Sequence, residues 1–557
     1  MKILNGILVA AALALAAGCG GPQREFDILI TGGTVVDGSG AERFRADVGI
    51  AGDRIAAVGD LSGARAGRVI DAAGLIVAPG VIDIHSHSDY SLLVDGNAES
   101  KIRQGVTTEI IGEATSAGPL NPAEAAAGHL ESPLWGLELD WQTLGQYFDR
   151  LMRDGSSVNV GSFVGTMTVR RYVMGDTNRQ ATDEEISRMA GLVAEAMQQG
   201  ALGVSSALLG SPLSEKELIA MAKAVAPYGG IYSTHIRDEG PLIFEALEEA
   251  FRIGREAHVP VDVIHLKIAE RRLWGRMNDV LAAFERARAE GVEATANMYP
   301  YIAGQNDLAA LIPPEGQDGG RAAMLERLRD PAWREKIKAA IYGGGRPDWY
   351  NHYTSSAGWE SMLIVSTTQE KNRDLVGLRM NEVIEKRGGE PTDVLFDLLA
   401  EEGGSVPCVY FLMSEDDVRT AMAHPLVSFG SDGVAVRPDG PLGRGKPHPR
   451  WYGTFPRILG RYVREEKVLT LEQAINKMTW KNAQKLGVAD RGLVKEGLAA
   501  DVFVFDPERI IDRATFSEPH QYSEGVSFVI VNGRVVLEGD RHSGARPGRI
   551  IYGRGKR

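Results

Sequence analysis

Residues 80–87 read GVIDIHSH, a short apolar run that starts at a glycine and ends in His85-Ser86-His87. Seven more runs of the same kind follow: VTTEIIGE, VNVGSFVG, LGVSSALL, GIYSTHIR, VPVDVIHLK, VEATANMYPY and PLVSFGSD. Between them lie segments such as DEEISRMAGLVAEAMQQG, whose apolar residues recur at the 3.6-residue spacing of a surface helix. Eight strands alternating with helices predict an α/β protein, specifically a (β/α)8 TIM-like barrel. One extra apolar run, PCVYFLM, spoils the count and belongs either to the barrel or to an excursion. The stretch from about Gly304 to Ser366 is rich in Gly, Pro, Asp, Arg and Trp and interrupts the rhythm; it reads as an inserted lid subdomain.

Both flanks of the barrel pattern are different. From Phe26 the runs FDILITGGTVVDGSG, RADVGIAGDRIAAVGDL and RVIDAAGLIVAPG give short strands with tight Gly and Asp turns, and ADVFVFD and VSFVIVNGRVVLEGD repeat that style near the other end. The two half-sets predict one small β-sandwich domain built from residues 26–80 and 486–557, with the barrel at 81–485 between them. With 557 residues, 44% hydrophobic and 24% charged, the chain can build such a large core. A formal charge of −13 argues against a nucleic-acid partner, because neutralising phosphates needs an excess of Lys and Arg. There are two cysteines, which excludes a disulfide framework, and Cys408 reads as a small buried hydrophobe.

The opening MKILNGILVAAALALAAGC has Lys2, an apolar run and small residues before Cys19, the pattern of a secretory signal over 1–18. Its end resembles a bacterial lipobox. Two readings stand: lipidation at Cys19 with a 19–25 tether, or plain secretion after an Ala-x-Ala site. Gly20, rather than aspartate, after the cysteine favours an outer-membrane anchor with the protein in the periplasm, its one expected contact with a membrane.

In a barrel of this type the site sits at the C-terminal strand ends. Strand one ends in His85 and His87, strand five in His235, strand six in His265 and strand eight in Asp432. A lone histidine is usually structural, and His129, His352, His424, His520 and His542 are read that way. Four histidines and an aspartate at one end of four strands are a ligand set for Zn²⁺, one or two ions per chain, or another divalent ion.

At these residues the chain resembles the amidohydrolase superfamily, with His-x-His on strand one, His on strands five and six, and Asp on strand eight. Within it, GVTTEIIGE, GGIYSTHIRDEG, VIHLKIAE, NMYPYIAG, FGSDG, HPRWYGTFPRILGRYVRE and SEPHQYSEG are similar to the D-aminoacylase group, the N-acyl-D-amino-acid deacylases. That group carries a metal-binding cysteine after strand two, where this chain has Ala114. Glu113 beside it is the expected substitute, able to bridge two ions; the alternative is one ion held through His235 and His265, with Glu113 outside the ligand set.

The resemblance implies hydrolysis of a linear amide to a carboxylic acid and a D-amino acid. A divalent ion lowers the pKa of bound water from ~15.7 toward ~7 and polarises the carbonyl. Asp432 is the expected proton shuttle between that water and the leaving amine. Lys267, on the same strand face as His265, together with Tyr299 and Arg450, is expected to hold the substrate carboxylate. Arg237 and Asp238 are expected to orient the ligands, and Trp451 to pack. The alternatives are a cyclic-amide hydrolase of the hydantoinase or dihydroorotase kind, against which the missing strand-four lysine counts, a dipeptidase for D-containing peptides, or a non-catalytic binding lipoprotein. Acyl and side-chain preference and oligomeric state are not legible.

Overall fold

The computed structural model describes residues 25–121, 137–175, 177–346 and 349–557. The leader, Cys19, the tether up to residue 24 and His129 lie outside the described residues. Eight strands run parallel in chain order: Val81–Asp83, Val106–Ile111, Asn159–Ser162 with its continuation Val164–Gly165, Gly203–Ala207, Ile231–His235, Val261–Val263, Ala294–Met298 and Val427–Phe429. The third strand breaks at Phe163, pairing with strand two before the break and strand four after it. A parallel bridge from Ser86 to Gly433 sets the end of strand one beside the end of strand eight.

The helices between these strands form where the apolar spacing places them. Helix Asp183–Gln199 starts at a capping box, Thr182 with Glu185, and ends at Gly200 in the left-handed region. Its Met189, Val193 and Met197 are buried in the main core together with the strand residues Val160, Val204 and Val263. Helix Ile243–Ala257 buries Leu247, Ala250 and Phe251 in the same core.

The excursion between strands seven and eight is longer than the sequence rhythm suggests. Ala303–Asp307, Met362–Ile364 and Pro407–Phe411 form an antiparallel sheet with the last strand in the centre. The run PCVYFLM therefore belongs to the excursion, which reaches past Ser366 to Phe411, and Cys408 is buried and free within it. The segment has its own core around Leu311, Ile341, Leu395 and Phe396.

Two further sheets lie outside the parallel strands, the first built from early segments and the second from early and late segments together. Arg54–Gly59, Asp47–Ala51, Glu25–Thr31 and Arg65–Asp71 form one. In the other, Ile76–Pro79 pairs antiparallel with Val502–Phe505, which continues into Val526–Val531 and Arg534–Glu538. Ile30, Val48, Ile50, Val77, Val502 and Ile530 share one apolar core across the two sheets.

Candidate metal centre

His85, His87, Glu113 and Asp432 form one group whose donor atoms all lie within 4.8 Å of one another, and Glu113, His235 and His265 form a second. Glu113 belongs to both. Its Oε2 is 2.5 Å from His85 Nε2 and 3.1 Å from His87 Nε2, while Oε1 faces His235 Nδ1 at 3.8 Å. Asp432 Oδ1 lies 3.0 Å from His87 Nε2, and Oδ2 is 2.9 Å from Arg450 Nη1. His265 Nε2 is 3.1 Å from His235 Nδ1.

This convergence is held by backbone and by buried charge. Ala114, His265 and Asp432 have φ of 51°, 39° and 49°, a region that costs a residue with a side chain of order 1–3 kcal/mol and that clusters at functional sites. The Asp432 N–H donates to His85 O at 2.8 Å. Beneath them the fully buried Lys101 donates to Asp83 Oδ2 at 2.7 Å and to Ser431 Oγ at 2.8 Å, and Ser86 Oγ donates to Glu109 Oε2 at 2.5 Å. The ends of strands one and eight are thereby fastened from below. On the other side the His265 N–H donates to Asn297 Oδ1 at 3.1 Å, and Asn297 Nδ2 donates to Asp262, which Lys485 also pairs at 2.6 Å.

The electrostatics favour positive charge on this floor. Burial alone would raise Glu113, but His85 and His87 overcome it and hold the carboxyl well below its usual range. Burial likewise opposes ionisation of Asp432, and Arg450 and His85 reverse the direction. Burial would depress His87, yet its bonds to Asp432 and Glu113 carry it up to about 10. His87, with 40% of its side chain exposed, lines the cavity with both carboxylates within 3.1 Å of its Nε2. His265 goes the other way, down to about 4, through burial and the neighbouring Lys267. His85 Nδ1 and His235 Nε2 are buried without a hydrogen-bond partner. Imidazoles, ionised carboxylates and unpartnered ring nitrogens at this spacing fit a divalent ion of the zinc type.

The groups lie on the floor of a cavity of about 1230 Å³. Arg450, 5% exposed, lines it, with its guanidinium 4.7 Å from the Tyr299 ring centroid. Tyr299 lies beneath it, 3% exposed, its phenol raised by burial. Lys267 is placed differently from the expectation. Its Nζ is 2.5 Å from Glu239 Oε1 and 2.8 Å from His265 Nδ1, and it borders a separate small cavity behind His265. Arg237 turns away to Glu249 at 2.7 Å, and Asp238 Oδ1 accepts the N–H of Gly240 and Leu242. Trp451 packs with Val436 and Tyr452 while touching the cavity rim.

Glu239 is the residue that sequence reasoning missed. It sits 3.1 Å from His265 Nδ1 and 3.6 Å from His235 Nε2, with its carboxyl held low against burial by Lys267. The available signal was an acid four residues after a ligand histidine. Asp83 offered a similar one, two residues before His85 and on the same strand face.

Eight parallel strands with this ligand set at their ends define a metal-dependent hydrolase of the amidohydrolase type. Residues 68–537 match the amidohydrolase family, and the chain belongs to it. It is 37% identical to a D-aminoacylase of Alcaligenes xylosoxydans xylosoxydans over 95% of this chain and 98% of that protein. It is 34% identical to an N-acyl-D-glutamate deacylase of the same organism, over 95% and 97%. Among solved structures, the N-acyl-D-glutamate deacylase of Bordetella bronchiseptica, complexed with zinc and a phosphonate mimic of the tetrahedral intermediate, superposes with a TM-score of 0.79 at 31% identity, over 95% of this chain and 100% of that one.

Proposed function

We propose that this protein is a zinc-dependent deacylase that hydrolyses the linear amide of N-acyl-D-amino acids, releasing a carboxylic acid and a D-amino acid. The observation that carries the reading is Glu113, one carboxylate shared by two ligand groups on the floor of a cavity that also presents Arg450. The choice of the D hand rests on the relatives, which are named for D-amino-acid substrates.

His85, His87, Glu113 and Asp432 would hold one ion, and Glu113, His235 and His265 another. Bound there, zinc supplies Lewis acidity, activating water and polarising the amide carbonyl. The remaining work belongs to the chain. Arg450 receives the α-carboxylate as a charge-assisted pair, which brings the scissile amide over Asp432. Asp432 accepts the proton of the attacking water and returns it to the leaving nitrogen. Tyr299 supports Arg450 from below, and Lys267 acts through Glu239 and His265 rather than on the substrate. The excursion over residues 303–411 serves as a lid that shapes the acyl and side-chain pockets, and the two-ended β unit is a sandwich bracing the barrel. Export through the leader, with a lipid anchor at Cys19 holding the enzyme in the periplasm, completes the reading.

The test is elemental analysis of the purified protein together with amine release from N-acetyl-D-methionine and N-acetyl-L-methionine. Zinc with cleavage of the D isomer alone is the expected result. Zinc with neither isomer cleaved points to cyclic amides or dipeptides, and a protein that binds no zinc refutes the mechanism.

A further inference from the structure

The cavity of about 1230 Å³ exceeds the roughly 300–1,000 Å³ of ordinary small-ligand sites and is larger than a short acyl amino acid needs. Part of its wall is formed by residues 366–368 of the excursion and 444–446 after strand eight. These two segments are pinned together. The Lys446 N–H donates to Val365 O at 2.7 Å, and Gly445 O lies 2.9 Å from His520 Nε2. Gly445 has φ of +73°, and a Cβ there would meet Ser366 Cβ at 2.8 Å and Val365 O at 2.9 Å, so the position requires glycine.

The wall is cationic and uncompensated. Arg444 and Lys446 line the cavity, and among the described residues neither has an ion-pair partner, whereas Arg373 on the same wall is already paired with Glu370 at 2.7 Å. Thr367 Oγ1, also in this wall, is buried without a hydrogen-bond partner. The carboxylates that line the cavity, Glu113 and Asp432, are committed to histidines and Arg450. Two unpaired cations and a free hydroxyl complement an anion that the reaction's own groups do not supply.

We propose that Arg444 and Lys446 hold a second carboxylate of the substrate, distinct from the α-carboxylate at Arg450 and carried on the amino-acid side chain or on the acyl arm. The inference rests on the deacylase reading. The zinc-loaded full-length protein is assayed on two matched pairs, N-acetyl-D-glutamate against N-acetyl-D-glutamine and N-succinyl-D-alanine against N-succinamoyl-D-alanine. Within each pair a carboxylate is replaced by its amide. The expected result is a kcat/KM preference of about 10-fold or more for the acid in one pair, the size of a charge-assisted hydrogen bond, and that pair identifies which arm carries the charge.

In Arg444→Gln/Lys446→Gln the acid-to-amide ratio falls toward one, while Lys446→Arg keeps it. Because the ratio is internal to each protein, it is insensitive to partial loss of folded enzyme, and Arg444→Gln alone provides a milder variant. A wild-type ratio near one in both pairs, or a preference that survives the double substitution, overturns the inference while leaving the deacylase reading intact. If the wild type cleaves none of the four amides nor N-acetyl-D-methionine, the deacylase reading falls and takes this inference with it.

Discussion

Replacing Glu239 by Gln keeps the shape of the side chain and removes its charge. In the native protein that charge lies 3.1 Å from His265 Nδ1, 3.6 Å from His235 Nε2 and 2.5 Å from Lys267 Nζ. Carboxylates that hold the far nitrogen of a ligand histidine set its tautomer and orientation, and losing one typically costs about 10–100-fold in metal affinity. The substitution has a second effect, because Lys267 is 7% exposed and loses its ion partner. Breaking a buried pair from one side costs about 3–5 kcal/mol. Zinc affinity measured by competition with a chromophoric chelator is expected to fall by about 10–100-fold. Urea unfolding of the zinc-free protein should register the lost pair separately. Adding Lys267→Gln removes the stranded ammonium and should recover most of the stability while leaving zinc binding weak. Unchanged zinc affinity in Glu239→Gln would refute the positioning role.

Glu113→Gln removes the carboxylate common to both ligand groups, so the zinc content of the gel-filtered protein should fall by one ion per chain; an unchanged ratio would remove the bridging role. Asp432→Asn should lower kcat by about 10²–10⁴, the usual worth of general acid–base catalysis, and retained turnover would assign the proton transfer elsewhere. His352 is 4% exposed between the rings of Tyr350 and Tyr410, and burial depresses it from 6.5 to about 4. The folded state therefore prefers the neutral ring, and stability that is complete above pH 6.5 is lost as pH falls toward 4. The free-energy gap between wild type and His352→Gln in urea unfolding should narrow by about 3 kcal/mol from pH 7 to pH 4, and a constant gap would contradict this.

The eight parallel strands were legible because each is a short local run between helical repeats, and strands of this kind carry ligands at their ends. His85, His87, His235, His265 and Asp432 could therefore be grouped before any distance was known, whereas Glu113 was reached through the resemblance, as the neighbour of Ala114 where that family carries a cysteine. The excursion was less legible for a physical reason: Ala303–Asp307 pairs with Pro407–Phe411 across about a hundred residues, and no local periodicity records such a partner. Lys267 shows the same limit at the scale of one side chain. Its strand face could be read from alternation, but Glu239 arrives from a different strand end and turns the ammonium inward. The buried bracing of Lys101 by Asp83 and Ser431 likewise joins segments more than three hundred residues apart.

The pairing of Ile76–Pro79 with Val502–Phe505 also sets a timetable. During synthesis the earlier strand emerges more than 400 residues before its partner, a wait on the order of 20–80 s at 5–20 residues per second. Throughout that interval its edge is open, and strand edges in that state recruit other chains. The contact is also among the most non-local in the molecule, so closure pays a late entropic toll and belongs to the slow end of folding. A chain cut short between Asp432 and Val502 would carry all eight parallel strands and still present an unmated sheet, which makes aggregation rather than lost chemistry the first symptom of such a truncation.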